Sequence, residues 1–195
     1  MASLKIGLLG GSFNPPHDGH RHISLLALKQ LQLDQVWWLV SPQNPLKAMA
    51  EMAPLEQRLA LARAMARHPR IRVNDLESRL GTRYTADTLA LMRLRWPAHA
   101  FVWLMGADNL VQMPRWHRWR EIVEMLPMAV FNRSGESHRA LAGPAAARYA
   151  RYRVARPAEL PLATAPAWCF LFSRLHLASS TAIRAAHLDS VEGLR

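Results

Sequence analysis

The run Gly10-Gly11-Ser12-Phe13-Asn14-Pro15-Pro16-His17-Asp18-Gly19-His20 follows directly on the apolar stretch Leu4 to Leu9 and gathers the residue types that bind phosphate. Gly10 and Gly11 let the backbone turn tightly and approach a ligand with no Cβ in the way, while Pro15 and Pro16 stiffen the exit from the strand. Backbone N–H groups between a strand end and a helix start form an anion site. His17 and His20 stand three residues apart, so a helix beginning near Pro16 or His17 sets both imidazoles on one face, aimed at one anion. Helix capping or a solvated face is the plainer use of such a pair. The surrounding glycines and prolines favour the phosphate role, and a zinc pair would need further ligands that nothing nearby supplies.

A second group lies near the other end of the chain. Ser179, Ser180 and Thr181 can cap a helix whose amino end attracts anions, and Arg184, one turn later, carries a guanidinium suited to phosphate oxygens. Neither Gly-x-x-x-x-Gly-Lys-[Ser/Thr] nor Gly-x-Gly-x-x-Gly is present, so a P-loop hydrolase and an ordinary dinucleotide-binding oxidoreductase lack their phosphate loops.

Positioning these groups requires strands and helices in alternation. Short apolar, β-rich runs predict strands at Leu4 to Leu9, Val36 to Val40, Ile71 to Val73, Phe101 to Met105, Met128 to Phe131 and Trp168 to Phe172. Apolar residues at three- and four-residue steps predict helices over His20 to Leu31, Leu55 to Arg67, Thr85 to Arg95 and Trp116 to Met125. The alternation implies an α/β fold, a Rossmann-like doubly wound parallel sheet. In a 3-2-1-4-5 strand order, ligands bind where the order reverses, beyond the carboxyl ends of the first and fourth strands. That places Gly10 to His20 beside Gly106 to Asn109. Ser134 to Pro144 reads as a flexible connection, and residues 134 to 166 carry no clear pattern.

The residues His17-Asp18-Gly19-His20 resemble the [His/Thr]-x-Gly-His motif of the nucleotidyltransferase superfamily, and the longer run is similar to the form found in nicotinate-mononucleotide adenylyltransferases. Ser179-Ser180-Thr181-Ala182-Ile183-Arg184 resembles that family's second motif. Tyr84-Thr85-Ala86-Asp87-Thr88-Leu89, Gly106-Ala107-Asp108-Asn109 and Pro114-Arg115-Trp116 fall between them in the family's order. The resemblance implies adenylyl transfer from ATP to nicotinate mononucleotide, with Mg²⁺ carried by ATP. It casts His17, His20 and Arg184 as catalytic, and Gly10, Gly11, Ser12, Phe13, Lys47, Gly106, Asp108, Ser179, Ser180 and Thr181 as the ATP and phosphate contacts. Asp108 would accept from a ribose hydroxyl, with capping of the next helix as its plainer use. Trp116 would stack on the pyridine ring, and backbone N–H groups near Thr85 and His117 would meet the nicotinate carboxylate. Asn14 stands where the family usually has Asp, His117 where Tyr often follows, and the loop carrying Lys47 is one residue short. Another adenylyltransferase of the superfamily, such as one acting on phosphopantetheine, is the nearest alternative. Arg184 and Trp116 argue against it.

Composition bounds the rest. At 195 residues the chain, 1–195, is expected to form one domain with a real core. No apolar run approaches the ~18 residues that span a bilayer, and Leu4 to Leu9 is too short for a signal-peptide core, so a soluble cytoplasmic protein with no membrane partner is expected. Cys169 is the only cysteine, which excludes an intrachain disulfide and a thiolate-rich metal site and suits a core position. The formal charge of +11 raises a second class of function, a basic nucleic-acid-binding module without catalysis. The basic residues are spread along the chain, and only Arg115-Trp116-His117-Arg118-Trp119-Arg120 mixes arginines with aromatics as a strand-binding surface does, so that reading stays secondary. The oligomeric state is left open.

Overall fold

The computed structural model describes residues 3–42, 52–133 and 135–173. Within them six strands, β1 (Lys5–Gly11), β2 (Gln35–Val40), β3 (Ile71–Asn74), β4 (Ala100–Gly106), β5 (Met128–Phe131) and β6 (Trp168–Leu171), form one sheet in the order β3-β2-β1-β4-β5-β6. Every pairing is parallel. The expected order is present with a sixth strand added at the β5 edge. All six strands lie within a residue or two of the predicted runs, because a sheet covered on both faces needs near-continuous apolar strands. Leu9 of β1 sits opposite Trp38 of β2 and Leu104 of β4. The chain therefore leaves β1 and β4 side by side at the point where the strand order reverses, the crevice in which open α/β sheets bind ligands.

The strands' alternation divides the core in two. Ile6, Leu8, Trp103 and Met105 face one layer, and Leu9, Trp38, Val102 and Leu104 face the other. The second layer is covered by α1 (Asp18–Gln30) and α2 (Leu55–Ala66). The first is covered by α3 (Leu76–Arg79), α4 (Thr85–Arg95), α5 (Ala107–Gln112) and α6 (Trp119–Met125).

Two expectations need correction. The helix predicted from Trp116 begins at Trp119: Met113–Arg115 forms a 3-10 turn, Trp116 is extended (φ −78°, ψ 144°), and Arg118 takes a left-handed φ of 51° to start α6. The connection predicted from Ser134 to Pro144 is not plain loop either, since α7 (Ser137–Leu141) lies within it and α8 (Pro144–Arg148) begins at its end. Each is five residues long, too short to display a helical period in sequence. They are held by packing, with Ala140, Ala145, Ala146 and Tyr149 buried in the layer that contains α5.

Cys169 is buried in β6, where burial pushes its thiol up to about 12 and leaves it inert as a nucleophile. No helix among the described residues is long and apolar enough to cross a membrane.

Candidate active site

The turn after β1 is built around rings. Phe13 adopts φ 47°, a left-handed conformation costly for a side chain of its size, yet it is almost wholly buried. It stacks on Trp38 with centroids 4.9 Å apart and the planes 17° from parallel. Trp38 is held in turn by its Nε1–H, which donates to Ser24 Oγ of α1 at 2.7 Å. His20 lies 4.7 Å from the Phe13 ring and 3.8 Å from that of His17, which makes a continuous column from Trp38 to His17. His17 is the extended N-cap of α1, and its main-chain N–H donates to His20 Nδ1 at 3.2 Å. The expected shared face and the plainer capping role are thus both present, and capping orients the second imidazole.

Gly10 closes this turn against the next strand. A Cβ at Gly10 would run into the indole of Trp103 on β4. The glycine permits that close approach and so brings the β1 and β4 loops together.

Arg58 is the element that sequence reasoning missed. It sits on the buried stripe of α2 with Leu59, Ala62 and Ala66, and its guanidinium donates to four main-chain carbonyls. Nη1 reaches Ser12 and Ser41 at 2.7 Å each, Nη2 reaches Pro42 at 3.0 Å, and Nε reaches Ala53 at 2.8 Å. The turn after β1, the end of β2 and the start of α2 are thereby tied to one side chain. Burial draws its pKa below the ordinary arginine value. The available signal was an arginine at a position where the helical period calls for an apolar residue.

The second wall comes from two loops. Thr85 opens α4, and Tyr84 before it packs its ring 4.3 Å from that of His117. Arg118 fastens the loops from outside, with Nη1 on Asp87 Oδ1 of α4 at 2.8 Å and a bidentate pairing with Glu121 of α6. Trp116 meets Trp103 edge to face, centroids 6.4 Å apart at 86°. Gly10, Gly11 and Ser12 on one side and Thr85, Trp116 and His117 on the other line a single cleft. Two groups of residues predicted from separate motifs are brought together there.

The same cleft holds charged groups to which sequence reasoning assigned no role in it. Arg83 and Arg115 line it, as does Glu77, a buried side chain at the start of α3. Burial raises the Glu77 pKa to about 7, opposed by a hydrogen bond from Ser41.

Gly106 is the N-cap of α5, and Asp108 lies inside the first turn of that helix. Asp108 pairs with Arg133 Nη1 at 3.2 Å, so its carboxylate faces a cation and does not cap the helix. Lys47, Ser179, Ser180, Thr181 and Arg184 lie outside the described residues. No cluster of three or more His, Cys, Asp or Glu able to hold a metal occurs among the described residues.

A parallel sheet with a glycine-bearing turn at its switch point, facing an aromatic wall across one cleft, has the architecture of the α/β proteins that bind nucleotides at that crevice. Residues 8–186 match the cytidylyltransferase-like family. "Probable nicotinate-nucleotide adenylyltransferase" of Cereibacter sphaeroides is 58% identical over 93% of this chain and 97% of its own length. The protein of the same name from Parvibaculum lavamentivorans is 56% identical over 93% and 91%. Among solved structures, Plasmodium falciparum nicotinic acid mononucleotide adenylyltransferase complexed with NaAD shares the fold, with a TM-score of 0.71 at 16% identity over 92% of this chain and 82% of that one. The chain belongs to the cytidylyltransferase-like family and, within it, to the nicotinate-nucleotide adenylyltransferases.

Proposed function

We propose that this chain transfers the adenylyl group of ATP to nicotinate mononucleotide, releasing pyrophosphate and forming nicotinate adenine dinucleotide in NAD biosynthesis. The observation that carries the reading is the single cleft joining Gly10, Gly11 and Ser12 to Thr85, Trp116 and His117. One end suits phosphates and the other an aromatic ring, the two things a pyridine mononucleotide and ATP must present to each other.

A phosphate oxygen of the mononucleotide attacks the α-phosphorus of ATP in line. The bond from that phosphorus to the bridging oxygen breaks, and pyrophosphate leaves from the opposite side with the electron pair. The nucleophile is already ionised near neutral pH, so positioning and charge stabilisation do most of the work. His20, with Nδ1 occupied by the His17 N–H, presents Nε2–H as a donor to the charge developing on the phosphates. His17 and the backbone of Gly10, Gly11, Ser12 and Phe13 hold the phosphates, with Lys47, Ser179, Ser180, Thr181 and Arg184 assigned to the triphosphate by resemblance. Gly106 and Asp108 serve the ATP side, where a ribose hydroxyl would compete with Arg133 for the carboxylate. Trp116 stacks on the pyridine, and N–H groups near Thr85 and His117 meet its carboxylate.

ATP enters as its Mg²⁺ complex. A cation carried in on phosphate oxygens, with most of its shell water, is compatible with a protein whose described residues offer no acidic cluster. The whole chain is taken as one nucleotidyltransferase domain acting in the cytoplasm.

The test is pyrophosphate release from MgATP with nicotinate mononucleotide, nicotinamide mononucleotide or phosphopantetheine as acceptor. Release should be fastest with the first. Release only with phosphopantetheine would move the chain to the neighbouring activity, and no release with any acceptor would leave a non-catalytic module.

A further inference from the structure

Trp103 projects from β4 into the wall of the cleft and is 3% exposed. Its Nε1–H is buried and has no hydrogen-bond partner among the described residues. Three other indoles of the chain have acceptors. Trp37 donates to Gln35 Oε1, Trp38 to Ser24 Oγ and Trp168 to the Tyr149 carbonyl, at 2.9, 2.7 and 2.8 Å respectively. An indole N–H can only donate, and leaving it buried without an acceptor costs as much as a lost hydrogen bond. A phenylalanine would bury a ring on the same strand without that cost. The fold nevertheless spends a glycine on this indole, since a Cβ at Gly10 would overlap its six-membered ring.

Its neighbours indicate what the donor is for. Gly10 lies against one edge of the ring, and Trp116 meets it at a right angle across the cleft. Trp116 sits on an extended loop residue between a 3-10 turn and the left-handed Arg118, so the ring beside the indole comes from a loop and not from the sheet. We propose that the Trp103 Nε1–H is a substrate-binding donor, giving its hydrogen bond to an oxygen of the acceptor mononucleotide when that nucleotide seats against Trp116. The inference rests on the adenylyl-transfer reading above. It makes Trp103 a preorganised contact whose desolvation is already complete in the free protein, so its hydrogen bond is gained only on binding.

The indole signals of the seven tryptophans report on this directly in ¹⁵N–¹H spectra of the unmodified protein. With the Trp103 signal assigned, its Hε1 should move downfield and exchange more slowly with solvent on addition of nicotinate mononucleotide, and should stay in place with MgATP alone. Trp103→Phe should raise KM for the mononucleotide roughly 10- to 100-fold with KM for ATP unchanged, as expected for a lost hydrogen bond to a charged or strongly polar oxygen. A Trp103 signal that ignores the mononucleotide while other signals respond would overturn the proposal and leave the adenylyl-transfer reading intact, as would a response to MgATP alone. If no signal responds to the mononucleotide and no pyrophosphate is released with it, the functional reading fails, and the proposal fails with it. Should Trp103→Phe fold poorly, the spectrum of the unmodified protein still decides.

Discussion

The main-chain N–H of His17 donates to Nδ1 of His20, and that bond fixes the neutral His20 ring as the tautomer with its proton on Nε2. The helix cap therefore also sets which ring nitrogen is left carrying the proton. Phe13 and His17 pack on the ring at 4.7 and 3.8 Å and restrict its rotation. In the adenylyl-transfer reading proposed above, capping and phosphate binding become two uses of one geometry.

His20→Ala should lower kcat by ~10²- to 10³-fold, the usual cost of removing a donor aimed at transition-state charge. The tautomer makes a sharper test. Glutamine can place an amide N–H near the Nε2 position, whereas asparagine reaches only the Nδ1 position. His20→Gln should retain more turnover than His20→Asn, while His20→Asn better preserves the cap and the thermal stability. Equal kcat losses in the two variants would remove the donor role from Nε2.

Arg58 should matter to the fold as much as to the site. Arg58→Met leaves the carbonyls of Ser12, Ser41, Pro42 and Ala53 without their donor. At about 1–3 kcal/mol for each buried acceptor left unpaired, a loss of at least ~3 kcal/mol is expected in urea unfolding. Arg58→Lys should recover only part of it, because an ammonium lacks the planar fork that reaches four carbonyls at once. Stability of the Met variant within error of the unmodified protein would show that the turn after β1 does not depend on this tie.

The contrast between these two residues shows what the sequence reveals. His17 and His20 sit next to glycine and proline in one contiguous run, so their relation is local. The six strands were equally legible, being short apolar runs ended by turns. Arg58 bonds Ser12 from 46 positions away and Trp103 is aligned by Gly10 across the sheet, relations that exist only after the strands pair. The helices α7 and α8 were missed for a related reason, since five-residue segments are fixed by what packs on them and not by their own period. Arg83 and Glu77 came from a loop and a short helix that no motif singled out, Arg115 lay in a matched motif without a role of its own, and only the cleft assembles the three.

Glu77 gives the protein a pH-dependent stability of predictable sign. Its folded pKa of about 7 lies above the ordinary 4.5, so between these values the native state holds a proton that the unfolded chain has lost. Stability from this group is fully present below pH 4.5, is lost as pH rises from 4.5 to about 7, and is flat above that. The shift corresponds to about 3 kcal/mol as an upper figure. Glu77→Gln keeps the shape and removes the titration. Urea unfolding at about pH 5 and pH 8 should show a smaller difference for the variant than for the unmodified protein, and identical differences would place the ionised carboxylate in a better solvated setting than the structure gives it.

Preference for the acid over the amide is where the cleft's arginines enter. Backbone N–H groups near Thr85 and His117 suit a carboxylate, because the amide would turn its NH₂ toward donors and leave a hydrogen bond unmade. Arg83 and Arg115 line the same cleft and add a positive field that backbone groups do not supply, offset in part by Glu77. Both mononucleotides carry the 5′-phosphate, and the acid carries one further negative charge. Removing the field therefore penalises the acid more. Arg83→Gln with Arg115→Gln should reduce the ratio of kcat/KM for nicotinate over nicotinamide mononucleotide several-fold, while Trp116→Ala should weaken both acceptors alike and leave KM for ATP nearly unchanged. A ratio untouched by the double arginine variant would return the discrimination wholly to the backbone, and a Trp116 variant that altered only ATP would show that the pyridine stacks elsewhere.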